Sequence, residues 1–164
     1  MTLFAAVLIT ATVLCSLVAG FLFAFAVVVM PGIGSLDDGG FIRAFQVIDR
    51  IIQNNQPLFV GVWLGSVLAL VTAAVLGVWS LDGADRQLVI AAALVYVLGV
   101  QLPTVTINLP LNSQLQELDL VKMNEATRHR ARGDFEPRWN RWNVIRTACA
   151  ILVSVLLVFL VLRV

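Results

Sequence analysis

Long apolar stretches alternate with polar connectors along the chain. Thr2–Met30, Pro57–Leu81 and Gln87–Leu111 hold no Asp, Glu, Lys or Arg, and Asn143–Leu162 holds Arg146 alone. Each exceeds about 18 residues, the length at which an apolar run reads as a membrane-spanning helix. The pattern predicts an all-α fold, a transmembrane four-helix bundle forming a single membrane domain over residues 1–164, with spans near 2–30, 57–81, 87–111 and 143–162. Asp82–Arg86 is too short for anything but a tight link, so the second and third spans form an antiparallel hairpin. Pro31–Gln56 and Asn112–Trp142 are long connectors on one side. In the second of these, Ser113 with Gln116 makes a capping-box pattern, and Leu111, Leu115 and Leu118 recur at helical spacing. A connector helix is expected there, with Gly133 as a stop and Pro137 restarting the helix that enters the last span. The first run is longer than a signal-peptide core and lacks a basic leader, so it reads as a retained helix.

Composition narrows the class. The chain is 60% hydrophobic and 13% charged, with mean hydropathy +0.93, against about 45–50% and about 25% in an ordinary soluble domain. These values exclude a soluble globular domain, a disordered tail and a disulfide-stapled module. The net charge of +1 gives no pull toward nucleic acid. The expected partners are the lipid bilayer and a small lipophilic substrate, with a homo-oligomer open. The placement of charge sets an expected orientation. Arg43, Arg50, Lys122, Arg128, Arg130, Arg132, Arg138, Arg141 and Arg146 lie on the long-connector side, against Arg86 and Arg163 on the other. The positive-inside rule then puts both connectors in the cytoplasm and both termini outside a plasma (inner) membrane. Trp139 and Trp142 at one border and Trp79 at the other fit the aromatic belts. Two stripes of small residues, Gly61, Gly65, Ala69 and Ala73 against Ser16, Gly20 and Ala24, are spaced to let helices approach closely.

Several mechanisms are disfavoured by what the spans lack. No Asp, Glu, Lys or His lies inside them, where proton-coupled carriers place an ionisable group. Cys15 and Cys149 form no Cys-x-x-Cys and read as small buried hydrophobes. His129 is the only histidine and reads as a solvated loop residue. What remains is amide and guanidinium chemistry at one end of the bundle. Gln101, Thr104, Asn108 and Asn112 form a polar stripe on the third span, which Pro103 and Pro110 interrupt. Trp139, Asn143 and Arg146 share a face of the last helix. Asn54 and Asn55 lie at the start of the second span, and Gln46, Asp49 and Arg50 lie in the first connector. Apolar walls with a few convergent polar groups describe a small-molecule site; amides that merely bridge membrane helices are the other reading.

Three segments carry a resemblance: Phe21-Leu-Phe-Ala-Phe25 leading to Met30-Pro31-Gly32, then Asn108-Leu-Pro-Leu-Asn112, then Arg138-Trp-Asn-Arg-Trp-Asn-Val-Ile-Arg146. Over nearly its whole length the chain resembles the anthrone oxygenase-like family of small four-span membrane proteins. The resemblance implies oxidation of an anthrone-type lipophilic ring compound to a quinone with molecular oxygen, of the kind found in polyketide pathways, with no established need for a metal or flavin cofactor. Family members often carry His directly after the Asn of Trp-Asn-x-x-Arg, where this chain has Val144. On that chemistry Arg146, Asn143 and Asn108 are candidate donors to a developing oxyanion. Asp49 is the candidate base, and Trp139 and Phe25 would stack on the rings. Asn112, Gln101 and Asn54 complete the expected binding set. A non-catalytic bundle that binds a lipid or other hydrophobic ligand, or an accessory subunit, stands as the alternative; a transporter is the weakest reading.

Overall fold

The computed structural model describes residues 2–164 and is all-helical among them. Its five helices are α1 (Leu3–Gly34), α2 (Asp38–Gln53), α3 (Pro57–Ser80), α4 (Gly83–Gln116) and α5 (Glu125–Val161). Of these, α1, α3, α4 and α5 are long and apolar enough to cross a membrane. They form an integral membrane bundle with α2 laid across its connector end. One core fills the bundle around Leu8, Cys15, Leu70, Tyr96 and Leu157. A second, at the connector end, joins Phe41 and Phe45 of α2 to Phe135 and Trp139 of α5.

Three prolines within the spans have a common local solution. Pro31, Pro103 and Pro110 each follow a π-helical turn that ends two residues earlier, at Val29, Gln101 and Asn108. A proline has no N–H to give, and its ring crowds the carbonyl four residues back. In each case the residue just before the proline donates five residues back, Met30 to Phe25, Leu102 to Val97 and Leu109 to Thr104. The interrupted third span is therefore a continuous, re-phased helix with widened turns. Such turns cluster at functional sites.

The connectors depart from the expected pattern. Pro31–Gln56, to which hydropathy assigns no element, contains α2. Asp37 caps it by accepting from the Gly40 amide at 2.6 Å, and Phe41, Ile42, Phe45, Gln46 and Asp49 line its buried face. Ser113 and Gln116, expected to cap a separate connector helix, instead lie in the last turns of α4, which runs on to Gln116. Gly133 does not stop the next helix and Pro137 does not start it; both lie inside α5, whose cap is Asn124, accepting from the Thr127 amide at 2.9 Å. Tertiary bonds override the local breaking signal. Arg132, bonded to Glu136 at 2.7 Å, also donates to the carbonyls of Gly34 (2.7 Å) and Leu36 (2.8 Å), closing the end of α1. His129 thus sits on a helix, 3.0 Å from Asp38 at the start of α2.

Small residues act at different places from those expected. On α1, Ser16 and Gly20 are exposed, and the buried face is Phe4, Leu8, Ala11, Cys15, Val18, Ala19 and Leu22. On α3, Ala73 is buried, and a Cβ on Gly65 would meet Leu14 Cδ1 at 3.2 Å. The tightest approach is between α4 and α5, where a Cβ on Gly99 would lie 2.6 Å from Cys149 Sγ and 3.0 Å from Cys149 Cβ. Gly99→Ala is therefore expected to destabilise the bundle by about 1–3 kcal/mol through overpacking. Thermal unfolding in detergent checks it, and Cys149→Ala in the same chain should restore part of the loss.

Candidate functional site

All five helices contribute to one cavity of about 160 Å³ at the connector end. Its floor and sides are aromatic. Phe21 and Phe25 of α1 stand 4.9 Å apart, Phe59 of α3 packs on Phe21 at 5.2 Å, and Phe45 of α2 meets Trp139 of α5 edge-on at 5.5 Å. Phe25 lies 5.8 Å from Trp139. The cavity is thus a largely aromatic, apolar slot, and a site near this volume accepts at least one aromatic ring.

Polar groups enter this apolar slot from α2, α4 and α5. Arg146 is 4% exposed. It donates through Nη1 to Thr104 Oγ1 at 2.9 Å and through Nη2 to Asn143 Oδ1 at 3.0 Å. Asn143 in turn donates to the Leu22 carbonyl at 3.2 Å, which ties α5 to α1. Among the described residues no carboxylate pairs with Arg146, and its Nε has no partner. The Trp139 ring, 5.9 Å from the guanidinium carbon, makes a cation–π contact with it. Asn108, 2% exposed, has neither its Oδ1 nor its Nδ2 bonded. A buried, unpaired guanidinium costs several kcal/mol, and an unsatisfied amide adds about 1–3 kcal/mol per group. An oxyanion or a carbonyl in the slot would lower the first cost and pair the Asn108 Nδ2 donor.

Asp49 closes the other wall. Its carboxylate accepts from Asn112 Nδ2 at 2.8 Å, Gln116 Nε2 at 3.1 Å and Gln53 Nε2 at 3.2 Å. Asn112 simultaneously accepts from Trp139 Nε1 at 2.7 Å. The chain Trp139–Asn112–Asp49 therefore fixes an aromatic wall and a carboxylate relative to each other. Gln46 anchors α2 over the site by donating to the carbonyls of Leu115 (2.8 Å) and Leu118 (3.0 Å). Among the described residues no three His, Cys, Asp or Glu side chains converge as a metal-binding group.

The sequence-selected residues divide into two groups. Arg146, Asn143, Asn108, Asp49, Trp139, Asn112 and Phe25 all line the cavity. Gln101 does not: the two widened turns on either side of Pro103 re-phase the helix, and Gln101 Oε1 accepts from Trp63 Nε1 of α3 at 2.9 Å. Asn54 is exposed at the end of α2, in the turn where Asn55 takes φ 55° and Gln56 caps α3. Thr104 as a ligand of Arg146, and Phe45, Phe59 and Trp63 as walls, are not among the residues that the sequence pattern singles out for the site. Only the periodicity of α2 and the position of Trp63 one turn beyond Phe59 could have signalled them. Val144 is 56% exposed and faces a separate groove beside Met30 and Pro31, so a side chain at this position does not line the cavity.

Residues 53–156, which contain α3, α4 and most of α5, match the model of the anthrone oxygenase family. No curated protein and no solved structure matches the chain. The match spans well over half of the chain and includes Thr104, Asn108, Asn112, Trp139, Asn143 and Arg146. On that match, the chain belongs to the anthrone oxygenase family.

Proposed function

We infer that the protein oxidises an anthrone-type lipophilic ring compound to its quinone with molecular oxygen. The observation that carries this reading is the pairing, in one aromatic slot, of an unpaired buried guanidinium with an unbonded Asn108 amide and a fixed carboxylate. An anthrone has an acidic methylene opposite its ketone. Asp49 takes one methylene proton, and the electron pair moves onto the ketone oxygen. Arg146 Nε and Asn108 Nδ2 are free to donate to that oxygen as its charge develops. The electron-rich ring then passes one electron to dioxygen, and the two radicals join at the former methylene carbon. The proton returns to give a hydroperoxide. Loss of water across its C–H and O–O bonds leaves the second carbonyl, so one anthrone and one dioxygen give one quinone and one water.

The basic residues of the connector end support placing the site on the cytoplasmic side, with both termini outside. The test uses the protein in nanodiscs with an anthrone and oxygen. Quinone formation is followed against empty nanodiscs, because anthrones oxidise spontaneously. A rate above that background is the expected result. A folded protein with no excess rate overturns the oxidation and favours a bundle that only binds a hydrophobic ligand.

A further inference from the structure

Four of the cavity's sides are sealed, each by identified contacts. Rings of Phe21 and Phe59 close the seam between α1 and α3. Asn143 and the Phe25–Trp139 pair close α1 against α5. Arg146 joins α5 to α4 at Thr104, and the Asp49 and Gln46 bonds close α2 against α4. The side between α3 and α4 is different. There α3 packs along α1 and against the Gly83–Tyr96 half of α4, rather than along the half that carries Thr104 and Asn108. Two hydrogen bonds pin the helices together, Ser66 to Tyr96 at 2.7 Å and Trp63 to Gln101 at 2.9 Å. Among the described residues no hydrogen bond joins α3 to α4 on the connector side of Trp63.

The rim of that side consists of Ile52, Phe59, Trp63 and Leu109, all apolar or aromatic, all lining the cavity and none fully buried. Leu58 and Val105, beside them on α3 and α4, are well exposed. By helix rise, Trp63 lies about 9 Å along α3 from its start at Pro57. An apolar rim at that depth in a membrane-spanning bundle faces acyl chains. Water gains nothing by entering there, whereas a ring compound dissolved in the bilayer exchanges one apolar surface for another until its polar atom meets Asn108 and Arg146.

We propose that the ligand of this cavity is a bilayer-dissolved ring compound that enters sideways, through the gap between α3 and the second half of α4, with Trp63 and Leu109 as its two edges. The proposal rests on reading the slot as a site for a lipophilic ring compound, but its test needs no substrate. Trp139, buried on the far wall, is made the sole tryptophan by W63F, W79F and W142F, and the protein is placed in phosphatidylcholine nanodiscs. Two contact quenchers are compared: 10-doxylnonane, which dissolves in the hydrocarbon, and aqueous iodide. The expected result is quenching by 10-doxylnonane and not by iodide, with most of that quenching lost when Leu109→Phe narrows the gap. Quenching by iodide alone, by neither agent, or by 10-doxylnonane regardless of Leu109→Phe overturns the lateral entrance. If the triple variant does not fold, W79F/W142F keeps Trp63 at the rim. The combined emission of Trp63 and Trp139 must then fall with 10-doxylnonane and not with iodide, and fall less once Leu109→Phe is added; any other pattern overturns the proposal. Missing turnover with lateral quenching intact would remove the oxidation and leave the entrance.

Discussion

Replacing Arg146 with methionine is expected to lower quinone formation by about 10²–10³-fold, the usual effect of losing one preorganised donor to a developing oxyanion, without lowering the unfolding temperature. The two halves of this expectation have one cause. Arg146 is buried, has no carboxylate partner and leaves Nε unbonded. Its charge therefore opposes folding while it prepares the slot for an anionic oxygen. Methionine fills similar volume without that charge, and substitutions of buried ionic groups by apolar ones of like size are often neutral or stabilising, by about 1–4 kcal/mol. Against that gain stand two lost bonds, to Thr104 and Asn143. Thr104 keeps its bond to the Val100 carbonyl at 2.7 Å, and Asn143 keeps its bond to Leu22, so neither side chain is left wholly unpaired. A residue that served only to brace the bundle would behave oppositely, with unfolding temperature falling and any rate falling merely with the folded fraction. Initial rates and thermal melts on the same nanodisc preparation separate the two.

Much of this site is legible in the sequence because membrane segments make polar residues conspicuous. Against spans with no acid, lysine or histidine, Asn108, Asn143 and Arg146 stand out one by one, and helical spacing places Trp139, Asn143 and Arg146 on one face. The same spacing misplaces Gln101. An ideal 100° step puts it in line with Thr104, Asn108 and Asn112, but widened turns before Pro103 and Pro110 shift the phase, and Gln101 ends against Trp63. The prolines signal an interruption; whether the chain answers with a break or a widened turn depends on packing outside the local sequence. The connectors fail for a related reason. Gly133 and Pro137 weaken a helix locally, yet α5 runs through both because Arg132 holds the ends of α1 and α2 and Phe135 packs into the core around Phe41 and Phe45. In the first connector, Asp37 and the Phe41, Phe45 and Asp49 spacing do signal α2, but a search for spans alone passes over a helix that is half polar. That helix matters most to the proposed chemistry, since among the described residues it brings the only carboxylate that lines the cavity.

Asp49→Asn is expected to slow quinone formation by about 10²–10⁴-fold, the range for removing a positioned general base, and to change how the residual rate responds to pH. With Asp49 present, the methylene proton leaves to a carboxylate that Asn112, Gln116 and Gln53 hold in place. Without it, the enolate must form by hydroxide, so the residual rate should climb about tenfold per pH unit across the neutral range. Once the enolate exists, Arg146 and Asn108 are still there to receive it. At high pH the variant should therefore approach the wild-type rate, whereas Arg146→Met should stay slow at every pH. Some stability is also lost, because an amide at position 49 points its own N–H groups at donors that now serve the carboxylate, and one unsatisfied buried donor costs about 1–3 kcal/mol. The pH–rate profile separates this loss from chemistry, since a partly unfolded protein shows a uniformly reduced rate and no recovery with rising pH. If the slope is absent and the rate unchanged, Asp49 serves only to fix Asn112 and Trp139, and the proton leaves directly to solvent.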